Sequence, residues 1–378
     1  MQTIRMTGLD GEPVEIGQQA MEMLAERLAG EIIRPAEPGF AEAVQLWNGM
    51  ISKRPAIVVQ PVSASDVCQA IDFARANGVL LSVKGGGHNV AGTALADGGL
   101  TIDMCRMRSV EVDPQRRVAT VRGGCLLADV DKATQAHGLA TVLGSNSGTG
   151  VAGLTLGGGF GYLSRRFGMA VDNLEEVEIV TADGQLRRAA ADENPDLFWA
   201  VRGGGGNFGV VTRFTFRLHE VGPEVTGGLI LWDGERTDEV LTLYRDITEA
   251  APREVTVMLV MRSAPAVPFV PERYHGKPAV GFNICHSGDP ARASQYLEPI
   301  KARRPIADIV GPRPYVDQQS ILDPMQPKGL HSYWKTEFLP GLSDGALGAV
   351  RSHAADDTSP VSLAFLFHLG GAVTDEPP

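Results

Sequence analysis

Cysteine is scarce in this chain. Cys68, Cys105, Cys125 and Cys285 are widely spaced, form no Cys-x-x-Cys pair and match no zinc-binding spacing. A disulfide framework and a structural zinc site are therefore not expected, and the thiols read as small buried groups in a reducing compartment. Positive charge is also in deficit: 34 Lys and Arg stand against 45 Asp and Glu, a formal net charge of −11. Binding to a phosphate backbone rests on dense Lys/Arg surfaces, so nucleic acid is not an expected partner. Nowhere does an apolar run approach the roughly 18 residues of a membrane span, and the opening MQTIRMTGLDGEPVEIG lacks a basic stretch followed by an apolar one. The expectation is a soluble, cytoplasmic protein without membrane contact.

Glycine, by contrast, is in excess. Forty-five residues of 378 make about 12%, against a usual value of about 7%. A chain of this length suggests two domains, since single cores stop growing at about 250 to 300 residues. Periodicity predicts a leading helix over 16–28, then alternation: a strand over 56–60, a helix capped at Ser63 or Ser65, strands over 79–84, 100–104 and 118–122, and a helix over 126–137. A hairpin is signalled by 177–181, Asp183-Gly184 and 186–189, followed by a helix from Pro195 and a strand after Gly209. Gly222-Pro223 marks the boundary. Domains are expected over 1–221, with a core from about residue 50, and over 222–378. The second has strands at 229–232, 255–261, 279–285, 332–338 and 362–368 and helices at 237–249 and 290–303, which predicts an antiparallel sheet with helices on one face. The fold class is thus α+β with two domains.

The glycine excess falls in three runs: 84–92 (KGGGHNVAG), 144–161 (GSNSGTGVAGLTLGGGFG) and 202–209 (RGGGGNFG). Such runs permit close backbone approach and form concave rows of N–H groups suited to a pyrophosphate. A single run serves equally as a tight turn, but three in one domain weaken that reading. Two Gly-x-Gly-x-x-Gly matches, at Gly148/Gly150/Gly153 and Gly204/Gly206/Gly209, fail the strand-to-helix context of a dinucleotide fingerprint, and no Gly-Lys-Ser/Thr occurs. An NAD-dependent dehydrogenase is accordingly disfavoured. His88 is the distinctive side chain, an imidazole presented from a triple-glycine turn at the end of a strand. Covalent bonding to a flavin and an ordinary structural role both suit it, no metal-ligand partner lies at useful spacing, and spacing alone does not choose.

Together RPAIVVQP, KGGGHNVAG, GVAGLTLGGGFGYLSRRFGMAVDNL and RGGGGNFGVVTRFTFRL resemble the flavin-binding domain of the berberine bridge enzyme-like oxidoreductases, of bacterial type, within the para-cresol methylhydroxylase and vanillyl-alcohol oxidase (PCMH/VAO) superfamily. The match covers about residues 45–221. It implies a two-domain PCMH-type fold and FAD bonded through its 8α position to His88. The glycine loops then supply the other cofactor contacts: Lys84, Gly85, Gly86, Gly87, Asn89, Val90, Gly92, Gly144, Ser145, Asn146, Gly148, Thr149, Gly150, Gly153, Gly157, Gly158, Gly161, Gly209, Val210 and Val211. Relatives with a second covalent link carry a cysteine where this chain has Asn146, so a single attachment is implied. Relatives also continue past the position of Pro378 with a segment that helps line the active site. Turnover is therefore expected to be low unless an oligomeric neighbour or a longer chain completes the site.

The resemblance implies an oxidase or dehydrogenase removing a hydride from a C–H next to O or N of a small sugar, alcohol or amine, with dioxygen as reoxidant. The alternative is a flavin-binding protein with little turnover. In HSYWKTEFL (331–339) a strand would place Tyr333, Lys335 and Glu337 on one face. A phenol, an ammonium and a carboxylate together make a proton-handling set, and a similar strand faces the flavin in bacterial relatives. These three are the candidate catalytic residues. No metal is expected.

Overall fold

A computed structural model of the chain describes residues 3–354 and 359–375. The chain divides into two compact units. Unit 1 comprises Met1–Phe160, Met169–His219 and Leu322–Trp334; unit 2 comprises Gly161–Gly168, Glu220–Ile321 and Lys335–Pro378. The principal division thus falls between His219 and Glu220, and two short segments depart from a single cut at 221/222.

Unit 1 holds two principal sheets. In the four-stranded one the order is Glu31–Ile33, Ile57–Gln60, Leu100–Asp103, Leu81–Lys84; the last three run parallel and the first is antiparallel. Ile57, Val59, Leu100 and Ile102 are fully buried in it, in the manner of β-branched and aliphatic strands covered on both faces. Helix Ala64–Ala76 packs Val67, Ala70, Ile71, Phe73 and Ala74 into the same core, at the i, i+3, i+4, i+7 spacing of one helix face. Ser63 is its cap: its Oγ accepts from the Asp66 N–H at 3.2 Å, and Asp66 Oδ2 accepts from the Ser63 N–H at 3.2 Å. The second sheet is antiparallel, in the order Leu186–Ala190, Leu174–Val180, Val210–Arg217, Val118–Arg122, Val110–Asp113. Its inner face buries Val177, Ile179, Phe214, Phe216, Ala119 and Val121 against helices Leu127–Gln135 and Pro195–Val201.

Two expectations for this unit change. Helix Gln18–Arg27 starts later than predicted because Ile16 belongs to a hairpin, Thr3–Thr7 with Pro13–Gly17, where it pairs with Ile4. A short helix, Val151–Leu156, follows Gly150, but residues 141–149 leading into it are irregular, so the second glycine run still lacks the strand a dinucleotide fingerprint needs.

Unit 2 is an antiparallel sheet ordered Ala307–Asp308, Glu224–Asp233, Pro278–His286, Val255–Ser263, Leu363–Phe367. Ile230, Phe282 and Leu259 lie opposite one another across three strands, and their face takes the buried residues of helices Thr237–Glu249, Pro290–Lys301 and Asp344–Ala354. The expected α+β class is what the structure has; the three long helices share one face, while the short helix Tyr315–Gln319 lies on the other, where Gln318 meets Asn283. The strand predicted over 332–338 is absent: residues 331–339 are irregular. Ser332 explains why. Its N–H donates to Asn48 Oδ1 at 3.0 Å and its carbonyl accepts from Asn48 Nδ2 at 3.0 Å, so both groups needed for a ladder are taken by one side chain. Among the described residues no helix is long and apolar enough to cross a membrane.

Candidate functional site

Strand Leu81–Lys84 ends in the Gly85-Gly86-Gly87 turn, and Gly87, with φ 69°, adopts a left-handed conformation that an L side chain resists. A second loop, 146–150, crosses the first at glycine. A Cβ on Gly86 would collide with the Gly150 backbone nitrogen and lie 2.6 Å from its Cα, and a Cβ on Gly150 would strike Gly86 in return. The two loops pass backbone to backbone because neither carries a side chain there. That crossing brings His88 to Thr149, whose Oγ1 lies 3.4 Å from Nδ1, and to Gly148.

On its other side the imidazole stacks on Trp47, with ring centroids 5.4 Å apart and planes 23° from parallel. Burial pushes the His88 pKa down to about 4, aided by the nearby positive charge of Lys328. The ring is therefore neutral, and nucleophilic, at physiological pH. A folded-state pKa below the ordinary 6.5 keeps the neutral form present as pH falls, until about 4. If His88 is a nucleophile, its rate of covalent attachment to added FAD should be level from pH ~8 to ~5.5 and decline only as pH approaches the folded pKa. A decline centred near 6.5 would show an exposed, ordinary imidazole.

Three observations bear on FAD. The consecutive N–H groups of Gly86, Gly87 and His88 have no hydrogen-bond acceptor among the described residues, which leaves three successive donors available to an anion. Gly85, Gly148 and Gly153 have negative φ, and a Cβ on any of them would meet nothing closer than 3.5 Å. Neither backbone strain nor chain packing explains these glycines, whereas a close-lying ligand does. Beside them stands the neutral His88. Donors for a diphosphate, side-chain-free surface and a nucleophile suit FAD.

The remaining candidates divide. Asn146 supports its own loop, its Oδ1 accepting from the Gly148 N–H at 3.1 Å and its Nδ2 donating to Gln326 Oε1 at 3.4 Å. Ser145 neighbours it and is half-buried. Lys84 is turned away: buried, its Nζ donates to the Ala43 carbonyl at 2.7 Å and pairs with Asp103 at 3.1 Å. Asn89 Oδ1 accepts from the Thr93 N–H, the Val90 carbonyl accepts from Asn48, and a Cβ on Gly92 would meet Ile51. Gly144 packs by Leu154 and Leu127, and Gly158 lies by Met169, while Gly157 is exposed. Val210 and Val211 are buried in the cores behind Gly209, whose missing Cβ lets strand Leu174–Val180 approach. Gly161 belongs to unit 2, where its N–H donates to Ser164 Oγ at 2.9 Å.

Tyr333, Lys335 and Glu337 do not share a strand face, because there is no strand; all three are exposed, Tyr333 falling in unit 1 and the other two in unit 2. Two groupings escaped the sequence reading. Segment Leu322–Trp334 docks on the glycine loops of unit 1: Asp323 accepts from the Ser147 N–H at 3.0 Å and from its hydroxyl, and the Gln326 carbonyl accepts from Trp47 Nε1 at 3.0 Å. In unit 2, Asn283 is fully buried, donating to the Tyr162 hydroxyl at 2.6 Å and accepting from Gln318 Nε2 at 3.0 Å. Nothing local in sequence links residues so far apart.

A sequence profile described as an FAD binding domain matches residues 55–190. (R)-6-hydroxynicotine oxidase of Paenarthrobacter nicotinovorans is 39% identical over 205 residues, 54% of this chain and 45% of that protein, so the chain spans under half of this relative. An FAD-linked oxidoreductase of Dictyostelium discoideum is 30% identical over 362 residues, 94% of this chain and 76% of its own length. The crystal structure of 6-hydroxy-D-nicotine oxidase from Arthrobacter nicotinovorans superposes with a TM-score of 0.72 at 32% identity, covering 78% of this chain and 64% of that one. Similarity over most of its length to such a relative, a matching cofactor-domain profile and a loop crossing that suits FAD agree: the chain belongs to the FAD-linked oxidoreductases of the PCMH/VAO superfamily.

Proposed function

We propose that this chain is an FAD-dependent oxidase or dehydrogenase whose cofactor is bonded to His88, acting on a C–H next to nitrogen or oxygen of a small amine, alcohol or sugar. The observation that carries the attachment is the His88 imidazole, neutral and stacked, beside Gly148 and Thr149. The N–H groups of Gly86, Gly87 and His88 would hold phosphate oxygens, and the open surfaces of Gly85, Gly148 and Gly153 would admit the rest of the cofactor. FAD, when bound, supplies a two-electron acceptor for the substrate hydride. The likeness to a 6-hydroxynicotine oxidase supports a C–H beside nitrogen as the first substrate class to try. Attachment is tested by acid precipitation of the purified chain. Flavin should stay with the pellet and add one FAD to the intact mass; free FAD in the supernatant would refute it.

The proposal that Tyr333, Lys335 and Glu337 handle the substrate proton now rests on their chemistry alone, since no strand aligns them. Once anaerobic mixing with amines, alcohols and sugars finds a compound that bleaches the flavin, Lys335→Met and Glu337→Gln decide the matter. Slowing of flavin reduction by roughly 100-fold or more is the outcome expected of general acid–base groups. Near-wild-type reduction in both variants would assign the proton to other residues.

A further inference from the structure

Trp47 is buried, and its ring meets two aromatic side chains, His88 and Trp334. The preceding residue, Leu46, joins Ala94 and Leu95 in a small apolar cluster. Trp47 instead lies 7% exposed between the ring of His88 and the edge of Trp334, whose centroid is 6.0 Å away with the planes at 84°. Its backbone and ring polar groups are engaged. The N–H donates to the Gly87 carbonyl at 3.0 Å, the carbonyl accepts from the Gly329 N–H at 2.9 Å, and Nε1 donates to the Gln326 carbonyl at 3.0 Å. The next residue repeats the pattern. Asn48 Nδ2 donates both to the Val90 carbonyl at 2.9 Å and to the Ser332 carbonyl at 3.0 Å. A Cβ on Gly49 would strike the Gly329 carbonyl, so the two segments pass at backbone distance. Residues 47–49 thus join two pieces of chain remote in sequence, the turn that carries His88 and the segment 326–332.

From these contacts we infer that Trp47 is the positioning residue for His88: the stacked indole fixes the plane of the imidazole, and residues 326–332 fix the indole. The role in attachment rests on the reading of His88 as the flavin-bearing residue. A nucleophile held in one plane spends its time near the geometry of attack, and a misplacement of about 1 Å can cost roughly 100-fold in rate. Thr149 and Gly148 border the imidazole elsewhere but do not stack on it, so Trp47 is the ring that sets its orientation. The stack covers one face of His88 and so belongs to the burial that, with the charge of Lys328, lowers its pKa.

The experiment compares Trp47→Phe, which keeps an aromatic face, with Trp47→Leu, which keeps an apolar side chain without a ring, in this 378-residue chain prepared free of flavin and then mixed with FAD. Covalent attachment should slow by roughly 10-fold or more in the leucine variant and stay within about 3-fold in the phenylalanine one. In a His88→Ala background, Trp47→Leu should leave noncovalent FAD affinity within about 2-fold, because the cradle itself is backbone. Ring NMR of the unloaded chain should move the His88 titration midpoint from about 4 toward 6.5 in the leucine variant. An unmoved midpoint, equal attachment rates in both variants, or matching loss of noncovalent binding would overturn the proposal. Should the wild-type chain form no covalent link, the attachment reading fails by itself, and the His88 titration still decides whether Trp47 governs the ring.

Discussion

His88→Ala is expected to release every flavin on denaturation while the folded variant stays yellow. The two halves of this result have separate causes. Attachment needs a neutral nucleophile at one atom, and alanine has none. Retention needs only the N–H groups of the triple-glycine turn and the bare surfaces of Gly85, Gly148 and Gly153, which the substitution leaves alone. The variant also loses the Trp47 stack, an aromatic contact worth about 0.5–1.5 kcal/mol beyond its buried area, so a small fall in stability should accompany the complete loss of the covalent fraction. Acid precipitation and intact mass read the first effect, and gel filtration with visible absorbance reads the second. A variant that emerges colourless but folded would make His88 part of the cradle itself. Covalent flavin persisting in it would assign the link to another side chain.

The glycine turn was legible because its signals are local. A short apolar strand running into three glycines and a histidine needs no partner to be recognised, and the structure has that strand, Leu81–Lys84, and that turn. Helix Thr237–Glu249 was legible for a similar reason: acidic residues open it, and Val240, Leu241 and Tyr244 recur on one buried face. Segment Leu322–Trp334 was not legible. What ties it to the rest of unit 1 is a set of contacts with residues remote in sequence, among them Asp323 on Ser147, 176 residues away, Gln326 on Trp47 and Asn146, and Ser332 on Asn48, none of which leaves a pattern in the chain. The misread strand at 332–338 belongs to the same failure. Alternating polar and aromatic residues describe a strand only if the backbone groups are available for a ladder, and at Ser332 they belong to Asn48. The catalytic assignment of Tyr333, Lys335 and Glu337 drew on that alternation and so lost its geometry with it.

The crossing of the two loops also predicts opposite behaviour for two glycines that look alike in sequence. At Gly86 an added Cβ meets the nitrogen and Cα of Gly150, which are backbone atoms without a rotamer to change. Gly86→Ala must push the loops apart, and overpacking a fixed contact costs about 1–3 kcal/mol or more. At Gly148 the nearest atoms to an added Cβ are Asn146 Oδ1 at 3.5 Å and His88 Nε2 at 3.6 Å, ordinary contact distances, and φ there is not positive. Gly148→Ala should therefore leave stability within about 0.5 kcal/mol, the range of substitutions that disturb no packing. Its methyl group, however, would sit beside the nucleophile, in space that a bonded flavin would need. Chemical denaturation followed by circular dichroism, beside the ratio of flavin to protein absorbance, separates the two effects. Gly86→Ala should lower both stability and loading. Gly148→Ala should lower covalent loading at unchanged stability, and full loading in that variant would remove the second loop from the flavin site.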